Sequence, residues 1–178
     1  MHAQQDAPGP EHEPEVRATA IVDVTITRFP TVSYEYGGLT ELHNERWTSL
    51  FEEPIEHLYV VANFEQRHRQ EWYEHRTTTD RYVMLEGRAD VALFDGRAGS
   101  PSEGTLEVHE LVGIREGWAG LVIPAGVWHS FRITGDQMVL LNAKTPGYVR
   151  ESPDKYRLPM PNERVDFTWA TTAGPHER

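Results

Sequence analysis

Cysteine is absent from all 178 residues, which excludes disulfides, thiol nucleophiles and thiolate metal sites at once. Long apolar runs are absent too, and nothing approaches the roughly 18 residues of a membrane-spanning helix. The opening M-H-A-Q-Q-D has neither the basic nor the apolar region of a secretory signal, so a cytoplasmic location is expected. Positive charge is scarce: 17 Lys and Arg stand against 28 Asp and Glu, a net charge of −11. Such a surface repels phosphate backbones and anionic lipid, so no nucleic acid and no membrane is expected as a partner. By the same argument a phosphorylated small molecule would need a local basic patch. Arg67-His68-Arg69 is one, with a solvated edge as its default reading.

Aromatic residues are plentiful, with five Trp, seven Tyr and six Phe, and they suit a chain that buries one sizeable core. Residues 1–17 carry Pro8, Pro10 and Pro14 among acids and read as a disordered N-terminal tail. Residues 170–178 read as a flexible C-terminal tail, leaving one domain over 18–169. Inside it, short β-branched or alternating runs recur about every ten residues. They are Ala20–Thr27, His57–Ala62, Arg81–Leu85, Ala89–Phe94, Thr105–Val112, Leu121–Ile123, Trp128–Ile133 and Met138–Ala143. Glu86-Gly87 reads as the turn of a hairpin, with Ala89, Val91 and Leu93 on one face. Asn44–Phe51, with Trp47, Leu50 and Phe51 on one side, reads as the one short helix. Gly96–Gly104 and Pro146–Pro161 read as longer loops. The pattern is all-β, a sandwich or a barrel.

Two segments narrow that choice. Trp72–Gly87 reads W-Y-E-H-R-T-T-T-D-R-Y-V-M-L-E-G and Ile123–His129 reads I-P-A-G-V-W-H. Together they resemble the two motifs of a cupin, with Tyr73-x-His75, then Asp80, then Gly87, and later Pro124-x-Gly126-x-x-His129. A tyrosine stands where the first motif usually has a histidine. The phrases T-D-R-Y-V-M-L-E-G-R-A-D-V-A-L-F-D, Gly99–Gly104, I-P-A-G-V-W-H-S-F and Glu151–Pro159, ending in Asp166–Trp169, are similar to segments of the dTDP-4-dehydrorhamnose 3,5-epimerase branch of cupins. The resemblance implies a double-stranded β-helix (a jelly-roll barrel), a small-molecule substrate and no cofactor. It also implies a homodimer paired through N-terminal strands, for which Ala20–Thr27 is a suitable edge.

The same resemblance marks departures. The family's catalytic histidine falls on Tyr73, its Arg-Gly pair on Gln70-Glu71, and an upstream arginine on Tyr36. An ordinary tyrosine is a weak base near neutral pH, and two phosphate-holding guanidinium groups are missing. The expected activity is therefore that of an isomerase, epimerase, cyclase or lyase of deoxysugar or natural-product metabolism, not that of a standard dTDP-sugar 3,5-epimerase. Strand alternation puts Glu71, Tyr73 and His75 on one face; the resemblance implies that this face lines the barrel interior, with His129 entering from the second motif. Tyr73, His75 and His129 are the expected acid–base residues; Glu71, Arg81, Tyr36 and Asn142 are candidate ligand contacts. The alternative for Arg81 is a salt-bridged arginine, and for the buried histidines mutual satisfaction inside a narrow barrel. Two further alternatives stay open: a metal-dependent cupin of oxygenase type, with His75, Asp80 and His129 as ligands, or a non-catalytic ligand-binding cupin. Trp128 reads as core packing, and His43, His57 and His109 read as structural.

Overall fold

A computed structural model describes residues 13–44, 50–51, 54–63 and 70–170. Eleven strands make up its regular structure: β1 Glu15–Ala18, β2 Thr25–Arg28, β3 Thr31–Tyr34, β4 Gly37–Thr40, β5 His57–Asn63, β6 Glu71–Glu74, β7 Thr79–Asp95, β8 Leu106–Val112, β9 Trp118–Ile123, β10 Val127–Thr145 and β11 Tyr156–Pro159. There is no helix among the described residues. Residues 45–49 of the expected helix lie outside them, although Leu50 at its end is buried in the core. Among the described residues no helix is long and apolar enough to cross a membrane. Strand β1 begins inside the stretch read as a tail.

The frame is the pairing of the two longest strands. β7 and β10 run antiparallel from Val127↔Asp95 to Thr145↔Thr79, with irregularities between Ile133 and Met138 and between Val139 and Leu140. One half of β7 pairs with β9 and the other with β8. β10 likewise pairs with β6 near its start and with β5 near its end. A nine-stranded sheet results, in the order β1-β2-β9-β7-β10-β6-β11, with β5 and β8 attached beside β10 and β7, and β3-β4 forming a separate hairpin. Each long strand thus serves both walls of the barrel.

This arrangement corrects three sequence expectations. Arg81–Leu85 and Ala89–Phe94 are not a hairpin but one strand, because β10 supplies partners on both sides of Gly87. Gly87 takes φ +92°, and an added Cβ would lie 2.0 Å from the Gln137 carbonyl oxygen. The glycine therefore permits a bend and a close crossing rather than a reversal. Trp128–Ile133 and Met138–Ala143 are joined into β10 for the same reason. Ala20–Thr27 is not continuous strand either: Ile21 and Val24 enter one core, yet residues three apart on a strand face opposite ways. The chain turns there, with Val24 N–H donating to the Ile21 carbonyl and Asp23 at φ 66°. β5 is only half covered, since Leu58 and Val60 face outward.

The main core lies between the walls and includes Val83, Met84, Val91, Leu93, Leu111, Leu121 and Ile123. A second cluster of Trp72, Phe94, Trp128, Met160, Val165 and Trp169 sits on the outer face of β6, β7 and β10, in keeping with the packing role read for Trp128. Gln70 fastens it, its side chain donating to the Trp169 carbonyl at 3.0 Å and accepting from the Trp169 N–H at 3.3 Å. β11 lies within the segment read as loop, paired along β6. It places Lys155 and Arg157 beside the barrel mouth.

Candidate active site

Register brings the polar residues together. Lys144 of β10 lies directly across from Asp80 of β7 and His57 of β5, Asn142 across from Tyr82 and Tyr59, and His129 across from Tyr73. Alternation turns Asp80 and Tyr82 to one face of β7, and Asn142 and Lys144 to the same interior. His75 follows the end of β6. The result is a charged cluster in the barrel, with Asp80 1 % exposed and Lys144 7 % exposed.

Lys144 is its hub. Nζ donates to Asp80 Oδ1 at 2.9 Å and to His75 Nε2 at 3.0 Å. An ammonium has three protons, and the third has no partner among the described residues. His75 donates through Nδ1 to the Asp154 carbonyl, which fixes its tautomer and leaves the Nε2 lone pair facing Lys144 and Asp80. Asp154 is held in turn: its carboxylate accepts from the backbone N–H groups of Arg76, Thr77 and Thr78, each at 2.9 Å. Burial works to raise the Asp154 carboxyl, but those bonds outweigh it and hold the group far below the usual carboxylate range.

Asn142 lies behind the cavity wall rather than on it. Its amide donates to Asp80 Oδ1 at 2.8 Å and to the Tyr59 phenol at 2.9 Å. Burial favours the neutral Asp80 carboxyl, and the favourable interaction of its charged form with His129, Lys144 and His75, together with the Asn142 bond, overcomes this and lowers its pKa. His129 is pushed down to about 4, first by burial and then by the nearby positive groups, against the pull of Asp80. Its ring is thus neutral near pH 7, and Lys144 is the standing counter-charge to Asp80. Burial, then the Asp80 charge, drives the Tyr82 phenol well above its ordinary value.

Two adjoining hollows open onto the cluster. One, of about 430 Å³, is lined by residues including His57, Tyr59, Tyr73, His75, His129 and Lys144. The other, of about 810 Å³, shares Tyr59, Tyr73, Tyr82 and His129 and reaches Arg157. Tyr73 stands at the junction. Its hydroxyl donates to Glu71 Oε2 at 2.8 Å, and its ring faces Lys155 Nζ at 4.6 Å and the Arg157 guanidinium at 5.5 Å.

Tyr73, His75 and His129 thus meet at one cavity, and Glu71 touches it through Tyr73. Arg81 and Tyr36 do not line either hollow. Arg81 is turned to the other face from Asp80 by alternation; its guanidinium reaches Thr145 Oγ1 at 3.4 Å, and its N–H donates to Asn142 Oδ1 at 3.2 Å. Tyr36 sits at the tip between β3 and β4, 87 % exposed. Arg67-His68-Arg69 falls outside the described residues. His57, read as structural, is on the cavity wall, its Nδ1 buried without a hydrogen-bond partner among the described residues. His43 packs edge-on against Phe51, and His109 pairs with Glu107 at 3.3 Å. Lys144 itself is missing from the residues picked out by sequence. The signal was there: it stands two positions after Asn142, on the inward face of the same alternating strand.

His75, Asp80 and His129 also offer ligand atoms that all lie within 4.8 Å of one another. Their chemistry suits a divalent ion, but Lys144 already engages two of the three. A metal does not fit the cluster as long as that ammonium is in place.

No protein-family model matches the chain. In sequence it is similar to a probable low-salt glycan biosynthesis epimerase of Haloferax volcanii, 28 % identical over 151 residues that cover 84 % of this chain and 94 % of that protein. A spore coat polysaccharide biosynthesis protein of Bacillus subtilis is 29 % identical over 101 residues, covering 56 % and 66 % of the two chains. In structure the chain is similar to a dTDP sugar isomerase from Desulfovibrio desulfuricans, with TM-score 0.73, 22 % identity and coverage of 85 % and 94 %. A 4-keto-6-deoxy sugar epimerase from the novobiocin cluster of Streptomyces spheroides superposes with TM-score 0.74 at 14 % identity, covering 93 % and 83 %. Such likenesses fix the jelly-roll fold.

Proposed function

We propose that this chain, a cupin of the dTDP-4-dehydrorhamnose 3,5-epimerase-like family, is an acid–base isomerase or epimerase of a small carbonyl compound, working without a resident metal. The observation that carries this reading is the buried Lys144 ammonium, whose third N–H is available to a cavity lined by three histidines and four tyrosines. A carbonyl oxygen bonded there would be polarised by a fixed positive charge in a site poor in water, the arrangement that stabilises a developing enolate.

With the substrate oxygen on its third N–H, Lys144 releases His75, and the freed Nε2 lone pair takes the proton from the adjacent carbon. The C–H pair becomes the enolate double bond, the charge on oxygen meets the ammonium, and the new imidazolium lies 3.3 Å from Asp80 Oδ2. Proton return by His75 gives isomerisation. Return from the Tyr73 hydroxyl gives inversion, with Lys155 and Arg157 over the ring to stabilise the phenolate left behind. Expulsion of a leaving group from the same enolate would make the chain a lyase. Departure from a standard dTDP-sugar 3,5-epimerase is supported by Tyr73 at the family's histidine position and by Gln70, whose side chain is tied to Trp169.

The test is deuterium wash-in, followed by NMR, over keto-deoxysugars (free and nucleotide-linked) and polyketide-type ketones. Exchange at the carbon beside the carbonyl, abolished in Lys144→Met, is the expected result. A ligand that binds tightly and never exchanges would instead make this a binding cupin. We place the protein in the cytoplasm as a homodimer joined through β1 and β2, where Val16 is exposed on an edge strand. Light scattering at the monomer mass would overturn the dimer.

A further inference from the structure

We infer that Lys144 is a built-in cation standing where a metal ion would otherwise sit, and that the barrel holds a latent three-ligand metal site which the native chain keeps closed. The three candidate ligands have the right spacing. His75 Nε2 and His129 Nε2 lie 3.3 Å and 3.9 Å from Asp80 Oδ2, and an ion bonded at about 2.0–2.2 Å to each atom spans separations of about 3–4 Å. Two imidazoles and a carboxylate are also the donor types that hold first-row divalent metals.

Yet the set is not free. Lys144 Nζ lies 2.9 Å from Asp80 Oδ1 and 3.0 Å from His75 Nε2, so it takes the imidazole lone pair that an ion would need and holds the other carboxylate oxygen. The Nε2 electrons cannot both accept an ammonium proton and bind a metal. Two cations about 3 Å apart in a buried site also repel far more strongly than in water. The register leaves the amine little choice, because Lys144 faces Asp80 across the β7–β10 ladder. Behind the pair, Asn142 and the Asp154 carbonyl orient the carboxylate and the His75 ring. Those are the outer partners that a metal site requires, here turned to an ammonium. Removing the amine would leave a buried, oriented carboxylate and two imidazoles with no cation, and a divalent ion is the group that answers that need.

The experiment uses tag-free full-length protein, Lys144→Ala and Lys144→Met, each also carrying His75→Ala as control. Zn²⁺ is titrated by calorimetry, and Co²⁺ is followed by its visible absorption. Native protein should bind at least about 100-fold more weakly than the Lys144 variants. The variants should take one ion per chain, and His75→Ala should remove that binding. Thermal melting with and without Zn²⁺ covers a variant that folds poorly: a melt raised by the ion supports the inference, and a variant unfolded even with the ion counts against it. Methylammonium gives a second readout, since an exogenous amine should stabilise Lys144→Ala and not the native chain. Native protein that binds Zn²⁺ at this cluster as tightly as the variants, or folded variants that bind none, would overturn it. None of these readouts depends on turnover, so the inference stands or falls apart from the proposed activity.

Discussion

Asp80 and Asp95 are both buried carboxylates, both held below their ordinary pKa, and both within 3 Å of a cation. They do different work. Asp95 Oδ1 accepts from Arg97 Nε at 2.8 Å and Arg97 N–H at 3.0 Å; Oδ2 accepts from Arg97, Ser100 and Ser102. Its arginine continues outward to the Val22 carbonyl at 2.8 Å and to Asp23 at 3.5 Å. That knot is closed, and it ties the 96–104 loop to the turn before β2. The Asp80 cluster is left open on one side: the ammonium has a proton to spare, the His75 lone pair can be exchanged, and both face a cavity. A buried ion pair by itself says little about function. Unspent donors beside empty space are what separate the two.

The sharpest way to break the comparison is to remove both partners from the open pair. Asp80→Asn with Lys144→Met leaves no uncompensated charge, so melting should change little, while turnover should fall about 10²–10³-fold. Retained turnover, measured by deuterium exchange, would reduce the Asp80 cluster to a structural pair like the other. Conversely, Asp95→Ala should cost about 3–5 kcal/mol, since it removes the buried acceptor that Arg97, Ser100 and Ser102 share. At this chain length that is a drop in melting temperature of about 10 °C, with the turnover of the folded protein unchanged.

Acid should separate the two regions as well. His129 has a folded pKa of about 4, below its ordinary 6.5, so the unfolded chain takes up this proton first as pH falls. Stability from this group is complete above pH 6.5 and is lost down to about pH 4, on the order of a few kcal/mol. Below about pH 4 further loss comes from Asp95 and Asp154, whose lowered pKa values make their stabilisation vanish only as they protonate. Urea melts at stepped pH should show the upper phase flattened in His129→Gln and the lower one untouched. The smallest effect belongs to Tyr73→Phe: about a tenfold loss of turnover with an unchanged melt. An unaltered rate would remove Tyr73 from proton transfer.

Much of this was legible in the chain. The resemblance carried by His75, Asp80, Gly87 and His129 marked the barrel and brought His129 to its interior, and period-two alternation put Tyr73 and His75 on one face. Alternation fails where the chain departs from a single straight strand. It could not reveal the turn at Ile21–Val24, nor show that Gly87 bends a strand instead of reversing it. Tyr36 illustrates another limit: a position matched by resemblance carries no information about which way the local backbone turns, and in this chain Tyr36 faces solvent. Arg81 was a candidate only as the neighbour of Asp80, and alternation turns it to the other face.

The sequence by itself determined the class of fold, the absence of thiol chemistry and the residue types available to the site, because these follow from composition and from local periodicity. Only the tertiary structure decided that Lys144 lies opposite Asp80 and that Asn142 and Asp154 orient the carboxylate and the imidazole. These contacts join residues dozens of positions apart, and those of Lys144 and Asn142 are set by the register of β7 on β10. No local pattern encodes a register that a one-residue slip would reverse.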